Sequence, residues 1–282
     1  MKLRVNAKDL LKTLNLAKIA VGGQRGEAIY KSILFLFENN QLKLITYDCE
    51  VFLYQSLPCL PIQTDQSAMT LINLKITSSL LKSFENVKSI EITLTKEKAH
   101  FSSAEHPDLE IQASNGDERG FLTAFKTMKI AIDKFNHSII PRRNFLTALQ
   151  RICHSLCKDE TRQKLLMVHM ENNHIMASDG SRLSYQPFRF VSSCPISINS
   201  KKIEKLKTFL KSEISASVKI KSTHEFCLVY GEKNVFMIKN LSHERFPNIQ
   251  QQLQKAKQNT LSIRLSAEFP ERVPANFLNG YH

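Results

Sequence analysis

The feature that most constrains this chain is an internal repeat. When the sequence is laid against itself at an offset of about 131 residues, Ser32–Gln55 aligns with Lys164–Gln186. Within that alignment Asp48 pairs with Asp179, and Tyr54-Gln55 pairs with Tyr185-Gln186. A period of this length indicates two copies of one domain. We therefore expect domains at residues 1–132 and 133–253, with 254–282 forming a C-terminal tail or the remnant of a third domain.

Each copy follows the same plan of elements. Apolar residues recur every three or four positions, which predicts amphipathic helices. The predicted helices are Ala7–Ala20, Lys75–Asn86, Arg143–Lys158 and Ser200–Lys211. In the second helix we expect the buried stripe to be Ile76, Leu80, Leu81 and Phe84. An Asn-Asn pair marks a hairpin tip in each copy, and the closing strands alternate, as in Ile90, Ile92 and Leu94. Each copy is therefore expected to have two helices packed on antiparallel sheets. The duplication of this unit gives an α+β architecture.

The positive charge of the chain is concentrated on these helices. The 282 residues contain 39 Lys+Arg and 26 Asp+Glu, a net charge of +13. The four predicted helices carry thirteen bases and three acids, whereas a soluble surface normally mixes both signs. On the third helix Arg143, Arg151 and Lys158 lie opposite the apolar stripe. This pattern predicts contact with duplex DNA through its phosphates, without reading of the bases.

The sequence offers no recognisable catalytic or metal motif. Five residues are candidates by type alone, without the spacing of a nucleophile and base or of paired carboxylates. They are Asp48, Asp179, His169, His174 and His243. Cys153 and Cys157 fall on an apolar helix stripe, so we interpret them as packing residues rather than metal ligands. We expect no cofactor, no metal and no enzymatic activity, although a site assembled in space stays open.

Neither a signal peptide nor a membrane-spanning segment is apparent. The most apolar short run, Ile33–Phe37, has the length of a strand. Six cysteines in a chain this long do not suggest a disulfide scaffold. We therefore expect a cytoplasmic protein, associated with the nucleoid if it binds DNA.

Several motifs resemble those of the bacterial DNA polymerase III beta subunit, the DNA sliding clamp. The run Ala177–Leu183 is similar to that family's A-T-D-G-x-R-L motif, and Arg245-Phe246-Pro247 is similar to its R-F-P motif. The start Met1-Lys2-Leu3 with Gly22-Gly23 resembles the family's opening helix and loop. The resemblance covers about residues 1–253. It implies a duplicated clamp domain with helices lining a ring around DNA, and a non-catalytic role as a processivity factor that tethers a DNA polymerase during DNA replication.

Charge and resemblance together give the candidate site residues. The predicted DNA contacts are Lys8, Lys12, Gln24, Arg25, Lys75, Lys82, Arg143, Arg151, Lys158, Lys201, Lys202 and Lys205. The family's groove for peptides of polymerases and the clamp loader implies a second set. These positions are Leu165, Ser178, Gly180, Ser181, Arg182, Leu183, Pro247 and Gln251. Gln252 stands where the family has an apolar groove residue, which would weaken peptide burial.

Length is the main departure from the family, which has three such domains per subunit and six per ring. The first hypothesis is a two-domain clamp that closes as a homotrimer. The alternative is a truncated clamp paralogue that binds DNA or replication partners without closing a ring. A third hypothesis, of another class, is a DNA-modifying enzyme.

Overall fold

The computed structural model describes residues 1–22, 27–63, 68–114, 116–134, 137–171, 173–190 and 194–242. The first copy contains β1 (Lys2–Asn6), α1 (Ala7–Ala17), β2 (Ser32–Glu38), β3 (Gln41–Tyr47), β4 (Val51–Pro58), β5 (Leu60–Gln63), β6 (Ala68–Asn73), α2 (Leu74–Leu80), β7 (Ser89–Leu94), β8 (Lys98–Ser102) and β9 (Leu109–Gln112). A further helix follows, α3 (Arg119–Lys134). The second copy contains β10 (Ser138–Pro141), α4 (Arg142–Ile152), β11 (Met167–Glu171), β12 (His174–Ser178), β13 (Leu183–Pro187), β14 (Ile196–Asn199), α5 (Ser200–Ser212), β15 (Ser217–Ser222), β16 (Phe226–Tyr230) and β17 (Asn234–Lys239). Single 3₁₀ turns occupy Lys18–Ala20, Ala28–Lys31, Leu81–Phe84, Cys153–Ser155 and Gln163–Leu165.

The order of elements is the same in both copies apart from β5, and so is the order of strands in the sheets. The first copy forms the sheets β5-β1-β7-β8-β9 and β4-β3-β2-β6, and the second forms β10-β15-β16-β17 and β13-β12-β11-β14. All pairs are antiparallel, so the α+β prediction is confirmed. The domain limits stay a prediction, because α3 crosses the first of them.

The two copies join through one strand pair. β17 pairs with β4, which fuses four strands of each copy into a continuous eight-stranded sheet. By the internal correspondence β9 is the counterpart of β17, and β13 is the counterpart of β4. Both lie at the end of their sheets in the part of the chain that the structure describes. Among the described residues there is therefore one joined edge pair and one open copy of each edge.

Asparagine side chains start three of the helices. Asn6, Asn73 and Asn199 end the preceding strands, and each side chain accepts a backbone N–H from the first turn of the helix. Such caps satisfy N–H groups that have no partner within the helix. At the tip of the β2–β3 hairpin Asn39 and Asn40 both have positive φ, which confirms the predicted Asn-Asn turn. In the second copy Asn173 has positive φ, while Asn172 lies outside the described residues.

Alternate residues of the eight-stranded sheet pack on its two faces. On one face Val51 and Leu53 of β4 pack in the core that holds α4 and α5, and Leu57 packs in the core that holds α1 and α2. On the other face Phe52 packs with Phe121 of α3. Four helices therefore share one face of the sheet, and α3 covers the opposite face.

Three sequence predictions need correction. The buried side of α2 is Leu74, Thr77, Ser78 and Leu81, while Ile76 and Leu80 are 51% and 40% exposed. The misassignment arose because the Asn73 cap starts the helix at Leu74, and the stripe at three- and four-residue spacing runs from that residue. The third predicted helix ends at Ile152 and a 3₁₀ turn ends at Ser155, so Cys157 and Lys158 lie beyond it. Finally, α3 was not predicted at all.

Candidate nucleic-acid interface

Four of the predicted DNA contacts of the first copy lie on the exposed sides of α1 and of the helical segment that begins with α2. Lys8 and Lys12 of α1 are exposed, as are Lys75 and Lys82 of the second helical segment. Lys75 and Lys82 also line a cavity of about 620 Å³ together with Lys18 and Lys31. No acidic side chain lines this cavity among the residues described. Its electrostatic character is therefore that of an anion site.

Lys31 was missed by the sequence reasoning. It ends the 3₁₀ turn Ala28–Lys31 and belongs to no predicted helix, so no helical periodicity marked it. Lys18 entered the charge count but not the set of candidate contacts. Lys18 comes close to α2 because α1 packs beside that helix, and Lys31 does so because the next residue, Ser32 of β2, pairs with Asn73 at the end of β6.

In the second copy α4 presents Arg143 and Arg151 to solvent, opposite Phe145 and Leu149. Lys158 is exposed three residues after the 3₁₀ turn that extends this helix. Within the described ranges, no ion pair involves these three bases or the four lysines Lys8, Lys12, Lys75 and Lys82. Their charges are available to an external polyanion.

The predicted DNA contacts on α5, unlike those on α1 and α2, form ion pairs with carboxylates. Lys201 Nζ lies 2.6 Å from Glu160 Oε1, and Lys202 Nζ lies 2.6 Å from Glu50 Oε2. Lys205 Nζ lies 2.9 Å from Asp48 Oδ2, a carboxylate that is only 6% exposed. Asp48 and Glu50 belong to the first copy, so Lys202 and Lys205 link the two copies, whereas Lys201 and Glu160 both belong to the second. The charge count on the predicted helices missed the carboxylates that pair with these lysines, because those carboxylates come from distant segments. The DNA role of Lys201, Lys202 and Lys205 stays a prediction.

Six predicted groove residues come together around one tight loop. Asp179 Oδ1 accepts the backbone N–H groups of Ser181 and Arg182, and Gly180 has a φ of +95°. The N–H of Arg182 and its guanidinium lower the pKa of Asp179 to about 2. Ser178 Oγ donates to the Arg182 carbonyl at 2.9 Å, which closes the loop from its other side.

Two neighbouring side chains lie against this loop. Arg162 Nη1 donates to the Asp179 carbonyl at 3.3 Å, and a Cβ placed on Gly180 would lie 3.4 Å from Leu165 Cδ1. Leu165, Ser178, Gly180, Ser181, Arg182 and Leu183 therefore form one cluster. Four further candidate positions, Gln24, Arg25, Pro247 and Gln251, lie outside the described residues, as does Gln252.

Four of the five residues that were catalytic candidates by type have structural partners in the described part of the chain. His169 Nδ1 lies 2.8 Å from Ser197 Oγ, and His169 Nε2 lies 3.3 Å from Glu171 Oε2. Burial lowers the pKa of His169, and Ser197 is fully buried, so this hydroxyl cannot meet a substrate. His174 stacks on Tyr185 with ring centroids 4.3 Å apart.

No clustering of metal ligands occurs in the described ranges, where no three His, Cys, Asp or Glu residues lie together in a way that could hold an ion. His154 Nε2 lies 3.1 Å from Ser184 Oγ, and His243 lies outside the described residues. Across the same ranges, no helix is both long and apolar enough to cross a bilayer.

Comparison with known proteins gives matches to one family. Residues 1–120 match the family model described as DNA polymerase III beta subunit, N-terminal domain. None of the curated protein sequences matches the chain.

Solved structures of DNA polymerase III beta subunits and sliding clamps are similar to this chain in fold. The beta subunit of Thermotoga maritima has a TM-score of 0.70 at 14% identity, over 89% of this chain and 66% of its own. The Bacillus subtilis sliding clamp has a TM-score of 0.73 at 15% identity, over 89% and 67%. The Helicobacter pylori beta clamp bound to a DNA ligase peptide has a TM-score of 0.70 at 15% identity, over 89% and 69%.

The chain thus spans about two thirds of the length of these structures. At such low identity these structures show the fold alone. The described part of the chain has the sliding-clamp fold, and residues 1–120 match the model of the N-terminal domain of the DNA polymerase III beta subunit.

Proposed function

We propose that the protein is a sliding clamp that binds duplex DNA independently of sequence and tethers a DNA polymerase during replication. The main observation that supports this proposal is that α1, α2, α4 and α5 lie on one face of a continuous sheet. The unpaired bases of α1, α2 and the α4 segment lie on the exposed sides of these helices. Duplex DNA carries about one negative charge per 1.7 Å of axis, and such a face complements it without base contacts.

The proposed role requires no chemistry from the chain itself. A processivity factor raises the local concentration of polymerase at the template, as any tether raises effective concentration. The proposal therefore assigns no catalytic residue and no cofactor, and it places the protein in the cytoplasm at the nucleoid. A test with nuclease and ligase substrates in the presence of Mg²⁺ should give no turnover.

Partner peptides are proposed to bind at the Asp179–Leu183 loop. The Helicobacter pylori clamp carries a DNA ligase peptide, and the predicted groove of this chain includes the cluster around Gly180. Leu165 and Leu183 are half-buried beside exposed Arg182, which offers apolar contact next to a cation. The proposal extends to peptides of a DNA polymerase and a clamp loader.

A ring could close through the two open sheet edges. Since β17 and β4 pair within the chain, their counterparts β9 and β13 could pair between two copies of it. The predicted assembly is a homo-oligomer, and a six-domain ring corresponds to a homotrimer.

Retention on circular DNA tests the proposed function directly. The protein is loaded onto a nicked circular plasmid at moderate salt, the plasmid is linearised at a single site, and bound protein is separated by gel filtration. Encirclement predicts retention on the circle and loss from the linear form within minutes. Equal retention on both forms would instead support the paralogue that binds DNA without closing a ring.

A further inference from the structure

The loop between β3 and β4 is the first-copy counterpart of the Asp179–Leu183 loop. At the offset of 131 residues that aligns Asp48 with Asp179, four of the proposed groove residues have counterparts in this loop and at its ends. The aligned pairs are Tyr47 with Ser178, Cys49 with Gly180, Glu50 with Ser181, and Phe52 with Leu183. All four first-copy residues line one cleft of about 640 Å³. The repeat therefore places a cleft where the first copy corresponds to the proposed peptide groove.

The cleft lies between α3 and the strand pair that joins the two copies. One part of its lining comes from α3, with Thr123 and Thr127. Another part comes from the end of β17, with Met237 and Lys239, and β17 pairs with β4 of the first copy. A single chain therefore supplies the whole lining. The volume falls within the range of clefts that bind small ligands and short peptide segments.

Two partly exposed aromatic side chains give the cleft an apolar surface. Tyr47 and Phe226 line it, and both are half-buried. Both also pack against the hydrophobic core that α3 covers, so their rings lie on the α3 side of the sheet. Aromatic rings offer large apolar contact areas to the side chain of a ligand. The cleft can therefore hold an aliphatic or aromatic side chain, as the half-buried Leu165 and Leu183 can at the aligned loop of the second copy.

The charged residues of the cleft carry both signs. Glu50 and Glu225 line it, and so do Arg119 and Lys239. A lining of mixed sign does not suit DNA, whose backbone is uniformly negative. The cleft also lies on the α3 side of the sheet, opposite the helices of the proposed DNA surface. A partner bound in the cleft therefore leaves that surface free for the duplex, as a tether requires.

We propose that this cleft is a second site for a short peptide of a partner protein, which places an aromatic or aliphatic side chain against Tyr47 and Phe226. The inference rests on the proposed peptide binding at the Asp179–Leu183 loop, because aligned positions of the repeat line both sites. The two sites differ in how they are completed. The first-copy cleft is complete in one chain, whereas at the second-copy loop the counterpart of β17 is β9 of a second chain in the proposed ring.

The test uses N-acetyl-phenylalanyl-leucinamide, a blocked dipeptide with one aromatic and one aliphatic side chain. The full chain is labelled at Met, Ala and Thr methyl groups, and the probe is titrated by NMR. We expect saturable shifts at the methyl groups of Ala124, Thr127 and Met237, all of which line the cleft. Phe226→Ala removes apolar contact area and should bind the probe about tenfold more weakly. Thr123→Glu brings a carboxylate into the cleft, whose desolvation opposes binding, and should weaken it at least as much.

Matched controls separate binding in the cleft from a general effect of substitution. Ile130→Glu adds the same charge to α3 at a position that is 50% exposed and outside the cleft lining, so it should bind the probe as the wild type does. N-acetyl-glycyl-glycinamide has the same peptide groups without the side chains and should cause no saturable shift. Tyr185→Asp, on the open β13 edge, should keep the wild-type affinity, because one chain supplies the whole cleft.

Failure of this inference and failure of the proposed function give different results. The inference is overturned if the probe causes no saturable shift at Ala124 and Met237, even in a protein that is retained on circular DNA. Wild-type affinity in Thr123→Glu and Phe226→Ala would overturn it too, as would equal binding of the diglycine probe. Saturable shifts at these methyl groups in a protein that is not retained on circular DNA would support the cleft and count against the ring.

Discussion

At the scale of single residues, aligned positions of the two copies have acquired different roles. Asp48 is buried and accepts the N–H of Val51 at 2.6 Å, and its carboxylate meets Lys205 of α5. Asp179, at the aligned position, binds Arg182 of its own loop and is more exposed. The difference follows from the fold, because only the Asp48 loop of the first copy lies against the second copy's α5.

Neutralising Asp48 should weaken the junction between the copies. In Asp48→Asn the ammonium groups of Lys202 and Lys205 lose a partner while remaining only 20–25% exposed. We expect a loss of about 1–3 kcal/mol in the free energy of unfolding, measured by urea denaturation. Glu160→Gln removes an exposed pair with Lys201 and should leave the free energy of unfolding close to that of the wild type. Similar losses for the two variants would contradict the junction role.

Asp179 should contribute stability that depends on pH. Its pKa falls from an ordinary value of 3.8 to about 2 in the folded chain, so folding favours the ionised form. The resulting stability is fully present above pH 4 and is lost as the pH falls through 2. The difference in unfolding free energy between wild type and Asp179→Asn should therefore shrink from pH 5 to pH 2. A difference that stays constant over this interval would show that the charge of Asp179 is not involved.

At the scale of elements, the helix face opposite α3 is the proposed DNA surface. Arg151→Glu combined with Lys158→Glu should weaken binding to any duplex sequence alike. The slope of log K against log salt should fall by about 1.8, since each lost phosphate contact accounts for about 0.9. Fluorescence anisotropy with two unrelated duplexes at several salt concentrations measures both effects.

The matched control for this variant lies on the other face of the sheet. Lys126 of α3 and Lys239 of β17 are both exposed on the α3 side. Lys126→Glu combined with Lys239→Glu changes the net charge by the same amount and should leave the salt slope unchanged. An equal loss in both double variants would mean that net charge, rather than this helix face, governs binding.

The sequence predicted the repeat and four helical segments because periodicity and turn chemistry are local. It assigned Ile76 and Leu80 to the core because the starting register of α2 is set by the Asn73 cap. α3 was missed because the predicted plan of each copy contained only two helices, although Phe121, Phe125 and Met128 are spaced for a buried face. Its last turn is held by buried Lys221, whose ammonium donates to the Ala131 and Ile132 carbonyls. Contacts between residues so far apart in the sequence cannot be predicted from the local sequence pattern.

At the scale of the whole molecule, the repeat defines how copies can associate. The β4–β17 pair buries Val51 and Leu53 on one face and Phe52 and Met237 on the other. The β13 edge offers Tyr185 at the position aligned with Tyr54 of β4, and Tyr185 is 38% exposed. No strand of the described residues pairs with β13 at this edge. Such an edge is a template for another strand, which in the proposed assembly is β9 of a second chain. The proposed association is heterologous, and heterologous contacts add subunits until a ring closes.

Disrupting the β13 edge should therefore abolish assembly without unfolding the chain. In Tyr185→Asp a carboxylate stands where the incoming strand must pack, and its desolvation opposes the contact. Native mass spectrometry should give three times the chain mass of 32.3 kDa for the wild type and a single chain for the variant. Ile130→Asp places the same charge on exposed α3, away from both edges, and should leave the assembly intact. A wild type that is monomeric at high micromolar concentration, or an assembly that survives Tyr185→Asp, would exclude closure through these edges.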